Sequence, residues 1–148
     1  MKKLNVLFIL LLITMTAFAQ KYSDSTWIVG EGHVGKIQIN MDERKLSTLY
    51  KESQIKAVKK GSDEDTYSEI SITLTGETKP GIMMQTMCIG DCIIAKIRLT
   101  SPLYKTIKGI GVGSSIGDLK KVYSIGRVAQ GDDGLMVYID EIPQLAFI

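Results

Sequence analysis

At 148 residues, with 18 Lys and Arg against 16 Asp and Glu, the chain has the length of one ordinary domain and a nearly balanced charge. Lys2 and Lys3 lie in an N-terminal targeting segment, and without it the count is 16 against 16, which removes any electrostatic reason to bind nucleic acid or an anionic membrane surface. A single His and two Cys argue against a His- or Cys-rich metal centre.

Residues 1–19 read as a signal peptide. Met1-Lys2-Lys3 is the basic start, residues 4–16 are apolar but for Asn5 and isolated Thr, and Ala17-Phe18-Ala19 supplies an A-x-A cleavage site. The run is shorter than the about 20 apolar residues of a membrane span, and no Cys follows it to take a lipid. Cleavage before Gln20 leaves 129 residues, 20–148, expected to be exported to the periplasm or the medium as one domain with no membrane span.

Residues 20–26 are polar. A strand is expected at 27–29, then a glycine-punctuated turn at 30–35 that holds His33, then a half-buried strand at 36–40 with Ile37 and Ile39 inward. Asp42 is placed to cap a helix running to about Lys51, with Leu46, Leu49 and Tyr50 as its apolar stripe. Ile55 and Val58 belong to the next strand, and residues 59–65 form a charged hairpin loop containing Asp63, Glu64 and Asp65. Residues 67–75 alternate cleanly, with Ile70, Ile72 and Leu74 on one face.

A turn at 76–81, where Pro80 forbids continuation, leads to strands at 82–88 and 92–100. In the second of these Ile93, Ala95, Ile97 and Leu99 are expected to oppose Lys96 and Arg98. Short strands follow at 103–106 and 110–112. Ser115-Ile-Gly-Asp118 then has the form of a capping box opening a helix that reaches Tyr123. Strands at 127–129, 135–139 and 145–147 complete the chain.

Cys88 and Cys92, in an oxidising compartment, are expected to pair across the hairpin turn of Ile89-Gly90-Asp91 and to pin its register. A redox pair would need a lowered thiol pKa, and no neighbouring His or helix start supplies one. The glycine-rich stretch 109–117 misses the dinucleotide fingerprint at Ile116 and the phosphate-loop Lys at Asp118. His33 is the only imidazole available to a nucleophilic mechanism, and it reads more simply as a turn residue. Neither Asp63-Glu64-Asp65 nor Asp132-Asp133 has the spacing of a calcium loop. The expectation is therefore no catalytic residue, no metal and no cofactor. The 59–65 loop and His33 are candidate interaction loops, and Met83, Met84 and Met87 are core fillers in one hairpin.

One regularity spans these elements. Residues 37–61 align with 110–134 without a gap, 73 residues apart. Ile37 falls on Ile110, Leu46 on Leu119, Tyr50 on Tyr123, Gly61 on Gly134 and the cap Asp42 on the cap Ser115. Four of the 25 positions are identical, and the match is one of apolar class, spacing and capping. The fold expected is α+β: a mainly antiparallel sheet with two short helices on one face, built from two related β-α-β-β units at about 27–100 and 101–148. Matched positions are core and turns, so activity is to be sought where the units differ: the loop with His33, the 59–65 loop and the cystine hairpin.

The stretch Thr106-Ile-Lys-Gly-Ile-Gly-Val-Gly-Ser-Ser-Ile-Gly-Asp-Leu-Lys-Lys-Val-Tyr123 resembles a pattern of uncharacterised secreted or periplasmic bacterial domains: strand, turn, G-I-x-V-G, a capping Ser or Thr, and a short helix ending in Tyr. The layout of two tandem α+β units is similar to the group of β-lactamase-inhibitor proteins and small outer-membrane lipoproteins. This resemblance implies an envelope interaction module that binds a protein or a glycan, and no specific activity. The rival expectations are a small envelope hydrolase working through carboxylates and a thiol–disulfide protein using Cys88 and Cys92.

Overall fold

The computed structural model describes residues 27–61, 67–131 and 134–148. The proposed signal peptide, Asp63, Glu64 and Asp65, and Asp132 and Asp133 lie outside the described residues. The architecture is α+β, dominated by antiparallel strands with few and short helices.

Strands β1 (Ile28–Gly30), β2 (His33–Val34) and β3 (Ile37–Gln38) form a tight antiparallel meander. Its two turns need left-handed backbone, which Gly32 (φ 65°) and Gly35 (φ 55°) adopt without a Cβ penalty. Val29 opposes Val34 and Val34 opposes Ile37, so all three bury on one face. The glycine-punctuated turn expected over 30–35 is thus a hairpin whose return strand carries His33.

Asp42 accepts the Arg44 N–H at 2.9 Å and caps a 3-10 turn, Glu43–Lys45, which runs into helix α1 (Leu46–Leu49). Arg44 also clamps the Asp42 carboxylate through its guanidinium, which holds that carboxyl down at about 2. The helix ends at Tyr50, short of the expected Lys51. There the Lys51 N–H is taken by the Gln54 side-chain oxygen at 3.1 Å, so the helical ladder has no next donor.

Four strands form the largest sheet, in the order β4 (Ile55–Lys60), β5 (Tyr67–Ile72), β6 (Ile82–Ile89), β7 (Asp91–Leu99), antiparallel throughout. Ile70, Ile72, Ile82 and Met84 fill its inner face, as the alternation predicts. Leu74 is buried too, although the paired strand stops at Ile72. In β7 the expected phase holds only in part. Thr86 opposes Ile94 while Gln85 opposes Lys96, so Ala95 is an extra, bulged residue. The bulge shifts the phase, and Ile94 is the buried residue in place of Ile93 and Ala95.

Strand β8 (Lys105–Thr106) lies parallel to β1, with Ile28 opposite Lys105 and Val29 opposite Thr106. The strand expected at 110–112 is reduced to one bridge, Gly111 to Lys105. Helix α2 (Ile116–Val122) starts at Ser115, whose hydroxyl accepts the Asp118 N–H at 3.1 Å. The Lys121 ammonium and the Ser115 hydroxyl draw the Asp118 carboxyl down to about 2. A three-stranded antiparallel sheet follows: β9 (Ile125–Gly131), β10 (Gly134–Ile139) and β11 (Ile142–Phe147), with β10 central.

Buried side chains fall in two clusters. The larger holds Val29, Ile37, Leu46, Ile72, Ile82, Ile94 and Tyr104; the smaller holds Ile110, Leu119, Tyr123, Val137 and Ile139. Leu145 packs against both. It sits within an irregularity of the β10–β11 ladder beside Pro143, which has no N–H to contribute there.

The glycine-rich stretch is scaffold. Gly109 (φ 79°) and Gly113 (φ 86°) make turns, and a Cβ on Gly111 would lie 2.2 Å from the Tyr104 carbonyl oxygen. A Cβ on Gly117, at the start of α2, would make only an ordinary contact, with the Ser115 hydroxyl at 3.5 Å. Gly111→Ala should therefore cost about 1–3 kcal/mol, whereas Gly117→Ala should stabilise by about 0.5–1 kcal/mol. Urea denaturation of the two variants checks this, and equal effects would contradict it.

Candidate functional site

The main concavity is a groove of about 360 Å³ between the large sheet and the three-stranded sheet. One wall is the end of β7, from Lys96 to Leu99; the other is β11 with Gln144, Leu145 and Phe147, extended by Ile148. Val29, Val34 and Tyr104 contribute apolar lining from the larger core, and Met136 and Tyr138 from the outward-facing residues of β10. Tyr104 is buried, stacks obliquely on Trp27 with ring centroids 5.3 Å apart, and has a hydroxyl without a hydrogen-bond partner among the described residues. Burial and the adjacent Tyr50 push that phenol above its ordinary range.

A second, smaller groove of about 240 Å³ lies beside the start of α2. It shares Ile110, Ser114, Phe147 and Ile148 with the first. Leu135 and Val137 line it on one face of β10 while Met136 and Tyr138 line the first on the other, so the two are arms of a trough that adjoin at the shared side chains. Helix α2 does not cover the far end of the sheet beneath it, and Ile116, Leu135 and Ile148 remain more than half exposed there. An apolar surface left open in this way is the usual mark of a contact site.

A third hollow, of about 350 Å³, lies on the outer face of the large sheet. The register lays two rows across it: Lys56, Ser71, Met83 and Arg98, then Val58, Glu69, Gln85 and Lys96. Lys96 and Arg98 thus stand at the boundary between this face and the main groove, and each holds an interaction of its own.

No Asp or Glu side chain lines either arm of the trough. Glu69, on the outer face, is paired with Lys60 at 2.6 Å. Two facing acids, which a carboxylate hydrolase requires, are therefore not found in these three concavities. Among the described residues no group of three or more His, Cys, Asp and Glu side chains is placed to hold a metal ion. No described helix is long and apolar enough to cross a membrane.

The residues singled out in the sequence do not converge. His33 is half-buried in β2, its ring over Gly30 directly across the hairpin and its Nδ1 3.2 Å from the Glu31 carbonyl oxygen. It lines none of the three concavities. Asp63, Glu64 and Asp65 lie outside the described residues. Cys88 and Cys92 are joined in a disulfide across the β6–β7 hairpin, with Gly90 (φ 85°) at the turn and Ile89 almost fully exposed at its tip. Arg44 reaches over from the cap of α1 to Asp91 at 3.0 Å, tying the hairpin to the helix entry. Met83 and Met87 are exposed and only Met84 is core, so the three methionines do not share one role.

What sequence reading missed is the trough itself. Its lining comes from residues up to 119 positions apart, Val29 to Ile148, and no local periodicity reports that two sheets flank one another. Comparison of the chain with protein-family models, with curated proteins and with solved structures found no match.

The cystine closes a very short loop, and its removal should act locally. Cys88→Ser with Cys92→Ser should lower stability by no more than about 2 kcal/mol and speed amide exchange at the hairpin tip alone. Hydrogen exchange with denaturant titration checks this; loss of a measurable disulfide reductase activity would instead favour the thiol–disulfide reading.

Proposed function

We propose that the chain is an exported, non-enzymatic module that binds another macromolecule of the cell envelope through the apolar trough. The observation that carries this reading is the pair of apolar grooves that adjoin at Phe147 and Ile148. Ile116, Leu135 and Ile148 are left more than half exposed in and beside the smaller groove, and no Asp or Glu side chain lines either one. Export is supported by the basic, apolar and A-x-A order of residues 1–19 and by the disulfide.

The scaffold reads as a duplicated unit. Tyr50 and Tyr123, 73 positions apart, both end a helix in extended backbone (φ −133° and −132°) and both donate their N–H to a Leu carbonyl four residues back at 2.9 Å. Leu46 and Leu119, which accept those bonds, are each the buried residue of their helix. In this reading the module is related to the secreted domains and tandem α+β proteins that its motif resembles, and the trough formed where its two units meet is what the duplication made available.

Exposed residues allow a direct test. Leu135→Glu with Ile148→Glu should leave the melting temperature within a few degrees of the parent, because both side chains are already more than half in solvent. The parent, used as bait against the envelope fraction and then against each purified candidate, should retain a partner that the double variant loses by about tenfold or more. Equal retention by both forms, or none by either, would count against the trough as the binding surface.

A further inference from the structure

We infer that the groove takes an extended polypeptide strand, which docks on the open edge of β7 by backbone hydrogen bonds to Ile97 and Leu99. This rests on the binding reading above and adds the class of ligand.

The register decides which backbone groups face the groove. The Thr100 N–H donates to the Gly81 carbonyl at 3.1 Å. Ile82 and Leu99 are therefore a non-hydrogen-bonded pair of the antiparallel ladder, and alternation makes Met84 and Ile97 another. Arg98 with Met83, and Lys96 with Gln85, are the pairs that exchange bonds across β6 and β7. Ile97 and Leu99 thus aim their N–H and C=O groups away from β6, and β7 is the last strand of its sheet. Both residues line the groove.

The same edge already accepts a strand one step earlier. Asn40 donates to the Ile94 carbonyl at 2.8 Å, and the Ile94 N–H donates to the Met41 carbonyl at 2.9 Å. Asp42 completes the bridge to Ile93. Residues 40–42 therefore cover β7 up to the Ala95 bulge, and beyond it the described chain supplies no further strand. An incoming strand would extend a pairing that the molecule makes for itself.

Chemistry then selects the occupant. Two N–H and two C=O groups repeat about 6.8 Å apart along an edge, the spacing at which an extended polypeptide presents its own; a glycan has no such alternation of donors and acceptors. An added strand turns alternate side chains to opposite faces. One set meets Val29, Val34 and Tyr104, which are apolar or present an aromatic ring. The other lies on the side where β7 carries Lys96 and Arg98, each holding an interaction of its own, with Gln85 and Glu69 in the row of Lys96. Apolar residues alternating with polar ones match both faces: the backbone groups set the class of ligand, and the apolar side sets its phase.

The probes are blocked heptapeptides that alternate Val, Leu or Phe with Thr, Glu or Lys, added to the isotope-labelled protein recovered after export. Binding is expected to slow amide exchange at Ile97 and Leu99 by about tenfold or more, with Lys96 and Arg98 unchanged. N-methylation of alternate peptide amides should abolish binding in one phase and spare it in the other. Binding that leaves the Ile97 and Leu99 amides unprotected overturns the inference. So does protection that rises with protein concentration alone, which would make the occupant a second copy. If no peptide binds while envelope glycan fragments do, the polypeptide class is wrong and the interaction reading survives; if neither binds, both fall.

Discussion

Two residues of β1 lying parallel to two residues of β8 decide where everything else in the molecule can sit. Among the described residues all other ladders are antiparallel and local, made by hairpins that could form within their own segment, and the remaining long-range strand contact is the short antiparallel bridge of residues 40–42 to β7. The β1–β8 pairing is the exception. It draws residues 105 and 106 back to the start of the described chain, across the whole large sheet, and brings the second helix and the three-stranded sheet with them. Among the described residues only Leu145 packs against both core clusters, and a groove is left open between the sheets. The contact that joins the two parts therefore also creates the groove between them.

The features that make this place suited to binding follow from strand order. A sheet edge carries unpaired N–H and C=O groups unless something covers it. In β7 the 40–42 segment covers the hairpin end and the Ala95 bulge marks where that cover stops. At the opposite edge, β4 holds Lys56, Lys59 and Lys60 in solvent, a common guard against unwanted pairing. The β7 edge instead opens onto apolar side chains. That combination of satisfied structure on one side and available backbone on the other is what the proposed recognition surface needs.

Local rules were read well from the sequence where neighbours in the chain are neighbours in space. The caps at Asp42 and Ser115, the alternation of Ile70 and Ile72, the glycine turns and the pairing of Cys88 with Cys92 are all of this kind. Misreadings arose where a non-local contact or a side chain competed with the backbone pattern. Ile94 replaced Ile93 as the buried residue because a bulge changed the phase, and α1 stopped early because Gln54 captured the Lys51 N–H. His33 was placed in a turn because Gly30, Gly32 and Gly35 surround it, whereas two of those glycines make turns and the third lies under its ring. The trough was not legible at all, since edge status depends on strand order across the whole chain.

The most direct measurement is residue-by-residue amide exchange along β7 in the protein without any ligand. Lys96 and Arg98, bonded to β6, should exchange slowly, and Ile97 and Leu99, directed into the groove, should exchange faster by about a hundredfold. That alternation would establish an open edge in solution. Uniform protection from Lys96 to Leu99 would show that the edge is already filled, and would contradict a binding surface there.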